Sequence, residues 1–253
     1  MIDVVLIGHG NVGSHLARVF TSTKGINLIQ VFSTRKFDNV NPLESIRIVD
    51  LAELNKTAEV YIVAVPDDAI SKVSNTLSLE NKLVVHTSGS VSMNEISSKH
   101  RRGVFYPLQT FSKGTTVDFS EIPVCLEAEN KQDLNLLKKL GHLVSKNVSE
   151  ISSKERSEMH VAAVFVNNFV NELYHISEDI MKEHNLDFKL FKPLIKETAN
   201  KVQSLSPASA QTGPAKRNDK KTIERHLGQL KNKDHKEIYE LLTKSIINRR
   251  NND

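Results

Sequence analysis

Val4-Val5-Leu6-Ile7-Gly8-His9-Gly10-Asn11-Val12-Gly13, near the start of the chain, joins an apolar run to a G-x-G-x-x-G motif. The run is rich in β-branched residues and predicts a buried strand. Leu16, Ala17 and Phe20 follow the glycines at helical spacing and predict a helix. A strand, G-x-G-x-x-G and a helix in this order are typical of the first unit of a dinucleotide-binding domain. An ordinary glycine-rich turn is the alternative.

The three glycines have different mechanical roles in such a unit. Gly8 allows the tight turn, Gly10 lets the backbone approach a pyrophosphate, and Gly13 lets the helix pack closely on the strand. The N-terminus of the helix then presents free N–H groups and a partial positive charge to the phosphates. The cofactor contacts predicted from this turn are Gly8, His9, Gly10, Asn11, Val12 and Gly13.

The residues after the second predicted strand, 27–32, indicate which dinucleotide is bound. NAD sites have an Asp or Glu about 20 residues beyond the glycines, where it binds the ribose 2′-hydroxyl. Here the corresponding residues are Ser33, Thr34, Arg35 and Lys36. Hydroxyls and a guanidinium suit a 2′-phosphate, so Ser33, Thr34 and Arg35 predict NADP (NADPH) rather than NAD. The alternative is that Arg35 and Lys36 are solvated loop charges.

Further apolar runs predict that residues 1–151 form an α/β domain with a parallel, Rossmann-type sheet. After the second strand, the predicted elements are strands at 46–49, 60–65, 83–86, 103–106, 123–127 and 148–151 and a helix at 131–143. In such sheets the residues at the carboxyl ends of the strands line the ligand crevice. The residues expected beside the cofactor there are Val65, Pro66, Thr87, Ser88 and Gly89.

Residues 152–253 predict an all-α domain instead, with helices at 152–183, 188–204, 219–231 and 234–248. On the first helix, His160, Asn167 and Asn171 lie close to one line of an ideal α-helix. Because the surrounding residues are apolar on nearly all sides, this helix is expected to be buried. Its polar groups then need partners, either a ligand in a cleft or hydrogen bonds within the core.

The segment 206–219 connects two of these helices and is rich in small residues, Gly and Pro. Thr212, Gly213 and Arg217 would suit the wall of a substrate site, and a plain connection between helices is the alternative. Asp219 is expected to cap the helix that follows.

The composition narrows the class of protein. With 253 residues, of which 39% are hydrophobic and 25% charged, the chain is typical of a soluble globular protein. We expect no membrane span, which needs about 20 apolar residues, and no signal peptide. The single cysteine, Cys125, favours a reducing cytoplasm, and its apolar neighbours predict a buried small residue rather than a nucleophile. We expect no metal site, since no metal-binding motif is present.

The net charge of +4 comes mainly from the end of the chain, where residues 213–253 contain 11 Lys/Arg and 6 Asp/Glu. These charges are interleaved with apolar residues at helical spacing. The pattern favours solvated helix faces over a nucleic-acid-binding surface.

Six motifs together resemble a known family. They are Gly8–Gly13, Val63–Asp68, His86–Gly89, Pro107–Phe111, Ala162–Asn168 and Thr212–Ala215. The chain resembles bacterial proteins in which a Rossmann-like domain precedes a DUF2520 domain. These are similar to the superfamily of pyrroline-5-carboxylate reductase, F420-dependent NADP reductase and 6-phosphogluconate dehydrogenase. The resemblance covers nearly the whole chain but is not specific for a substrate.

The resemblance implies an N-terminal cofactor domain, a helical domain that forms a homodimer, and an active site in the cleft between the two domains. His160 and Asn167 would lie near the nicotinamide, and Thr212 and Gly213 would close the pocket. Relatives often have His where this chain has Tyr106, next to Pro-Leu-Gln-Thr-Phe. Because a phenol titrates at about 10, a mechanism that uses this position as the acid is in doubt.

The sequence therefore predicts a cytoplasmic NADP(H)-dependent oxidoreductase that acts on a small carbonyl, imine or hydroxy-acid substrate. His160 is the expected proton donor or acceptor, because its ordinary pKa lies near neutral pH, and Asn167 orients the substrate or the imidazole. The predicted substrate contacts are Tyr106, Gln109, Asn171, Thr212, Gly213 and Arg217. The alternative is a regulatory protein that senses NADP without turnover.

Overall fold

One mixed sheet forms the first part of the molecule in the computed structural model, which describes residues 1–34 and 42–250. In chain order the strands are β1 (Ile2–Ile7), β2 (Ile26–Phe32), β3 (Arg47–Ile48), β4 (Val60–Val63), β5 (Leu83–His86), β6 (Arg101–Pro107), β7 (Val124–Ala128) and β8 (Val148–Glu150). Across the sheet the order is β3-β2-β1-β4-β5-β6-β7-β8. Among the described strands, β6 and β7 pair antiparallel and the other neighbours pair parallel. The order from β3 to β6 is that of a Rossmann domain, which confirms the predicted fold class.

Helices cover both faces of this sheet, which explains why its central strands are apolar throughout. In β1, Val4 and Leu6 pack into the core on one face, together with residues of α1 (Asn11–Ser22) and α3 (Lys131–Val144). Val5 and Ile7 pack into the core on the other face, together with α2 (Ile70–Thr76). Cys125 is buried, as predicted.

The strand order reverses between β1 and β4, and the chain leaves these two strands in different directions. The N–H of Gly8 donates to the carbonyl of Phe32 at 3.0 Å, and the N–H of Ala64 donates to the carbonyl of Ile7 at 2.8 Å. β1 continues into α1, which packs on one face of the sheet, and β4 continues through a turn into α2, which packs on the other face. Such a reversal creates the crevice in which α/β proteins bind ligands.

Helices follow the last strand, as the sequence predicts. They are α4 (Ser153–Val164), a π-helical segment (Phe165–Phe169), α5 (Val170–Glu183), α6 (Lys192–Ser204), α7 (Pro207–Ala210), α8 (Pro214–Arg217), α9 (Lys220–Gln229) and α10 (Lys233–Arg250). The segment predicted as a connection contains the two short helices α7 and α8. Asp219 caps α9, and its side chain accepts the N–H of Thr222 at 3.1 Å.

The chain divides into two compact units, Met1–Asn167 and Asn168–Asp253. The first unit contains the sheet, α1 to α3 and α4, so the first helix after the sheet groups with the sheet. Among the described residues of the second unit, only Met181 and Ala215 are buried apolar side chains. No helix in the described ranges combines the length and the apolar character that crossing a membrane requires.

The prediction that the long helix from residue 152 is buried is wrong for the single chain. Val161, Phe165 and Val166 are 59%, 63% and 76% exposed. An apolar helix is buried only where another surface covers it, and within one chain this face is open. The π-helical turn also interrupts the α-helical repeat, so the alignment of Asn167 and Asn171 with His160 on an ideal helix does not apply.

Candidate cofactor and proton-transfer site

The glycine-rich turn has the close packing that its sequence motif requires. Gly8 has a positive φ of 106°, and a Cβ atom there would collide with the carbonyl oxygen of Ala64 at the end of β4. A Cβ atom on Gly13 would collide with the carbonyl oxygen of Gly8. Around Gly10, by contrast, no atom of the described residues lies within 4 Å of the position that a Cβ would take. Two glycines are therefore needed for packing, whereas Gly10 faces open space.

The N-terminus of α1 lies directly after this turn. Gly10 is its N-cap, and its first turn contains no acidic residue. The first helical N–H groups, including those of Asn11, Val12 and Gly13, have no carbonyl partner within the helix. They are suited to bind an anion. His9 is half-buried beside them, and burial followed by the charge of Lys113 lowers the pKa of its imidazole.

The structure places part of the predicted 2′-phosphate site after β2. Ser33 is buried, and its N–H donates to the carbonyl of Ile48 at 3.0 Å. Thr34 follows it and is exposed. Arg35 and Lys36, on which the predicted choice of NADP depends most, lie outside the described residues.

The turn after β5 is held by His86, which is fully buried. Nδ1 of His86 accepts the N–H of Ser88 at 3.1 Å, so the ring proton is on Nε2, which lies 3.3 Å from the carbonyl of Ser92. Burial, followed by the positive charge of Arg156, lowers the pKa of His86 to about 4. The imidazole is therefore neutral near pH 7 and serves to hold the turn.

The same turn contacts the loop that follows β4. The hydroxyl of Ser88 accepts the N–H groups of Ser90 and Val91 at 3.1 and 3.0 Å. The hydroxyl of Ser90 donates to the carboxylate of Asp67 at 2.5 Å. The two predicted cofactor-binding stretches, Val65-Pro66 and Thr87-Ser88-Gly89, are thereby brought together.

Tyr106 and His160 meet beside Gly89. The hydroxyl of Tyr106 lies 3.2 Å from Nδ1 of His160, and the two rings pack edge to face with their centroids 6.1 Å apart. A Cβ atom on Gly89 would collide with Nδ1 of His160 and lie 2.8 Å from Cζ of Tyr106. Three distant parts of the sequence thus converge: the turn after β5, the end of β6, and α4.

Burial determines how the phenol of Tyr106 behaves in this cluster. The ring is buried in a small core with Val104 and Cys125, and burial raises the pKa of the phenol above its ordinary value. Tyr106 therefore keeps its proton near neutral pH and acts as a hydrogen-bond partner. His160, the other member of the pair, is partly exposed.

Arg156 is part of this site, although sequence reasoning missed it. It is 1% exposed, and its guanidinium donates to the carbonyl of Ser88 at 3.1 Å, to the carboxylate of Glu127 at 2.6 Å and to the carbonyl of Val91. The available signal was its spacing, because Arg156 precedes His160 by one helical turn and shares its face of α4.

Among the described residues of the first unit, the predicted site residues Gln109 and Asn167 form no hydrogen bond with this cluster. Gln109 is exposed, and its side-chain oxygen accepts the N–H of Thr110 at 2.8 Å. Asn167 is exposed in the π-helical segment.

In the helical unit, Asn171, Thr212 and Arg217 are exposed. Gly213 is the N-cap of α8 and has a positive φ of 100°. The roles predicted for these residues and for Gln109 and Asn167 remain predictions.

Two family models match the chain. Residues 3–89 match the model described as NADP oxidoreductase, coenzyme F420-dependent, and residues 122–246 match the domain of unknown function DUF2520. Among solved structures, the protein BF3122 of Bacteroides fragilis, described as a candidate NADP oxidoreductase, is 38% identical. The alignment covers 98% of each chain, with a TM-score of 0.86.

The chain belongs to this family of NADP oxidoreductases with a DUF2520 domain. A second structure, protein TM1727 of Thermotoga maritima, is 25% identical over 98% of this chain and 99% of its own, with a TM-score of 0.75. A pyrroline carboxylate reductase of Plasmodium falciparum with NADP bound is 15% identical over 97% and 98% of the chains and has a TM-score of 0.61, which shows a shared fold alone. No protein with a curated description matches.

Membership of the DUF2520 family agrees with the resemblance read from the sequence motifs. The oxidoreductase model ends at residue 89, directly on the glycine that contacts His160. The DUF2520 model begins at residue 122 and includes Glu127, Arg156 and His160. The cluster described above therefore combines residues from both matched regions.

Proposed function

We propose that the protein is an NADP(H)-dependent oxidoreductase that transfers hydride to or from a small carbonyl, imine or hydroxy-acid substrate. The observation that carries this proposal is the position of the Tyr106–His160 pair against Gly89. Because β1, β4, β5 and β6 are parallel, the carboxyl ends of these strands meet at one edge of the sheet. The glycine-rich turn, the turn that holds Gly89, and Tyr106 all lie at that edge.

The proposal assigns the cofactor to this edge in three parts. The amides of residues 8–13 bind the pyrophosphate. Ser33, Thr34 and Arg35 bind the 2′-phosphate, which is the reason for proposing NADP rather than NAD. The nicotinamide side is bordered by Val65, Pro66, Thr87, Ser88 and Gly89.

In the proposed reaction, the nicotinamide carries the hydride, and the protein supplies orientation and a proton. In this proposal the N–H at Nδ1 of His160 donates to the phenolic oxygen of Tyr106, which leaves a lone pair on Nε2. Nε2 would take the proton of a hydroxyl or amine substrate that is oxidised, and the resulting imidazolium would give the proton back from Nε2 when a carbonyl or imine is reduced. The predicted substrate contacts that complete the proposal are Gln109, Asn167, Asn171, Thr212, Gly213 and Arg217.

The cofactor assignment is tested by thermal unfolding with NADPH, NADH and coenzyme F420 added separately. A ligand that binds only the folded protein raises its apparent stability by mass action, so NADPH is expected to raise the Tm more than the other two. An equal or larger shift with NADH would contradict the choice of NADP. No shift with any of the three would contradict the function.

The role of His160 is tested with His160→Gln, which keeps a polar side chain but has no titratable group. We expect turnover to fall by about 100-fold or more, while the Kd for NADPH, measured by fluorescence titration, stays within about twofold of the wild-type value. Wild-type turnover in this variant would remove His160 from the mechanism.

A regulatory protein that binds NADP without turnover is the second candidate. The small number of groups able to exchange a proton at the site favours it, since His86 is neutral and the phenol of Tyr106 has a raised pKa. Tight NADPH binding with no oxidation of NADPH across a panel of carbonyl and imine compounds would support this alternative.

We also propose that the protein is a homodimer. The exposed apolar residues Val161, Phe165, Val166 and Phe169 on one continuous helical stretch support this, because contiguous apolar surface of this kind is typical of protein interfaces. A cytoplasmic location is part of the same proposal and rests on the sequence.

A further inference from the structure

Arg156 is the largest fully buried side chain in the described part of the molecule. A guanidinium does not lose its charge in proteins, so burying it is costly unless its donors are satisfied. The residues around Arg156 must therefore supply hydrogen-bond acceptors for the N–H groups of its guanidinium.

The acceptors come from the turn after β5, from β7 and from the start of α4. Two of the acceptors are the carbonyls of Ser88 and Val91, on the turn after β5. The third is the carboxylate of Glu127 on β7, which Nη1 reaches at 2.6 Å. The hydroxyl of Ser153, at the start of α4, also lies 3.2 Å from Nη2 and donates to Glu127 at 2.7 Å. The guanidinium therefore ties the turn, the sheet and the helix to one point.

This tie determines how closely the turn approaches His160. Ser88 precedes Gly89, whose α-carbon lies against the imidazole of His160 and the ring of Tyr106. Arg156 and His160 occupy the same face of α4, one turn apart. A bond from Arg156 to the carbonyl of Ser88 therefore keeps Gly89 in contact with the imidazole.

We propose that Arg156, paired with Glu127, is a positioning residue that holds the nicotinamide-side turn against His160. This inference rests on the proposed function, since it takes the turn at residues 87–89 as the border of the nicotinamide. The role requires the fork of a guanidinium, because the single ammonium of a lysine cannot direct donors to two carbonyls and a carboxylate in the same plane.

The test compares two ligands that share the adenosine half of the cofactor. NADPH reaches the nicotinamide side, whereas adenosine 2′,5′-bisphosphate occupies only the adenosine end. For Arg156→Lys we expect the Kd for NADPH to rise by about tenfold and the Kd for the bisphosphate to stay unchanged. A general loss of structure would weaken both ligands equally, so the ratio of the two Kd values separates positioning from stability.

Arg102→Lys is the matched control. Arg102 also pairs with a glutamate, since Nε lies 2.7 Å from Glu129, and it is on β6 of the same sheet. Among the described residues its guanidinium bonds to Glu129 and not to the turn after β5, so we expect Arg102→Lys to leave both Kd values unchanged.

A second variant guards against misfolding of the first. The double variant Arg156→Met with Glu127→Leu removes both charges, so neither is left buried and unpaired. We expect it to fold and to show the same selective loss of NADPH affinity.

The outcomes separate the two proposals. A wild-type protein that binds neither ligand would overturn the proposed function. A wild-type protein that binds both, with variants that lose both equally or lose neither, would overturn the role of Arg156 and leave the proposed function standing.

Discussion

The phenol of Tyr106 lies 3.2 Å from Nδ1 of His160 although the two residues are 54 positions apart in the chain. Tyr106 is at the carboxyl end of β6, and His160 is on α4 of the same unit. At the position where the resemblance leads us to expect an imidazole, this chain thus has a phenol that hydrogen-bonds to an imidazole from α4.

The first prediction concerns this bond. In Tyr106→Phe the imidazole keeps its packing but loses its partner at Nδ1, so we expect turnover to fall by about fivefold, as for one neutral hydrogen bond. Steady-state kinetics on a substrate accepted by the wild type measure the effect. A loss as large as that expected for His160→Gln would instead make Tyr106 the acid.

The second prediction separates the two kinds of glycine in the glycine-rich turn. Gly10→Ala adds a methyl group to open space, so we expect an unchanged Tm but a loss of NADPH affinity of about tenfold or more, because the methyl group occupies the approach of the pyrophosphate. Gly13→Ala drives a methyl group into the carbonyl of Gly8, so we expect lower stability by about 1–3 kcal/mol.

Urea denaturation and fluorescence titration of NADPH measure these two effects. Gly228→Ala is the control, since Gly228 lies within α9 and its added Cβ has no atom of the described residues within 4 Å. Alanine is expected to stabilise a helix there by about 0.5–1 kcal/mol. A free energy of unfolding below the wild-type value in Gly10→Ala would contradict the distinction between Gly10 and Gly13.

The third prediction concerns the pH dependence of stability. Burial lowers the pKa of His86 from 6.5 to about 4 in the folded protein. Between these two values the unfolded chain binds the proton more tightly, so stability is fully present above about pH 6.5 and is lost as pH falls through about pH 4. The loss attributable to His86 is about 3 kcal/mol at most.

Urea denaturation at a series of pH values between 7 and 4 tests this. His9 and His100 also have lowered pKa values, so the total slope exceeds the part due to His86. His86→Gln should flatten the dependence, and His175→Gln, which alters an imidazole side chain that is 61% exposed, should leave it unchanged. A wild-type slope in His86→Gln would contradict the burial of a neutral ring.

The fourth prediction concerns the exposed helix. Val166 is 76% exposed, and in a homodimer it would be covered by a second copy of the chain. Val166→Glu should therefore convert a dimer to a monomer without unfolding it, because a buried unpaired carboxylate opposes association. Sedimentation velocity measures the mass and circular dichroism measures the fold.

Val49→Glu is the control for the change in association, since Val49 is also exposed, at 56%, but lies after β3 and not on that helix. A wild-type protein that sediments as a monomer at micromolar concentration would contradict the proposed dimer.

The sequence by itself determined the sheet, the glycine-rich turn and the helices that follow. Apolar runs, glycine spacing and helical periodicity are local patterns, and the backbone responds to them within a few residues. Capping of α9 by Asp219 and burial of Cys125 also followed from neighbouring residues alone.

Only the tertiary structure decided the site around His160 and the exposure of the long helix. The bond from Arg156 to Ser88 joins residues 68 positions apart. A side chain at position 89 is excluded because a Cβ atom there would collide with the imidazole of His160, which belongs to another element. The apolar pattern near Val166 predicts that its surface is covered, but not which surface covers it. Such contacts depend on where separate elements meet, and no local pattern of residues encodes that meeting.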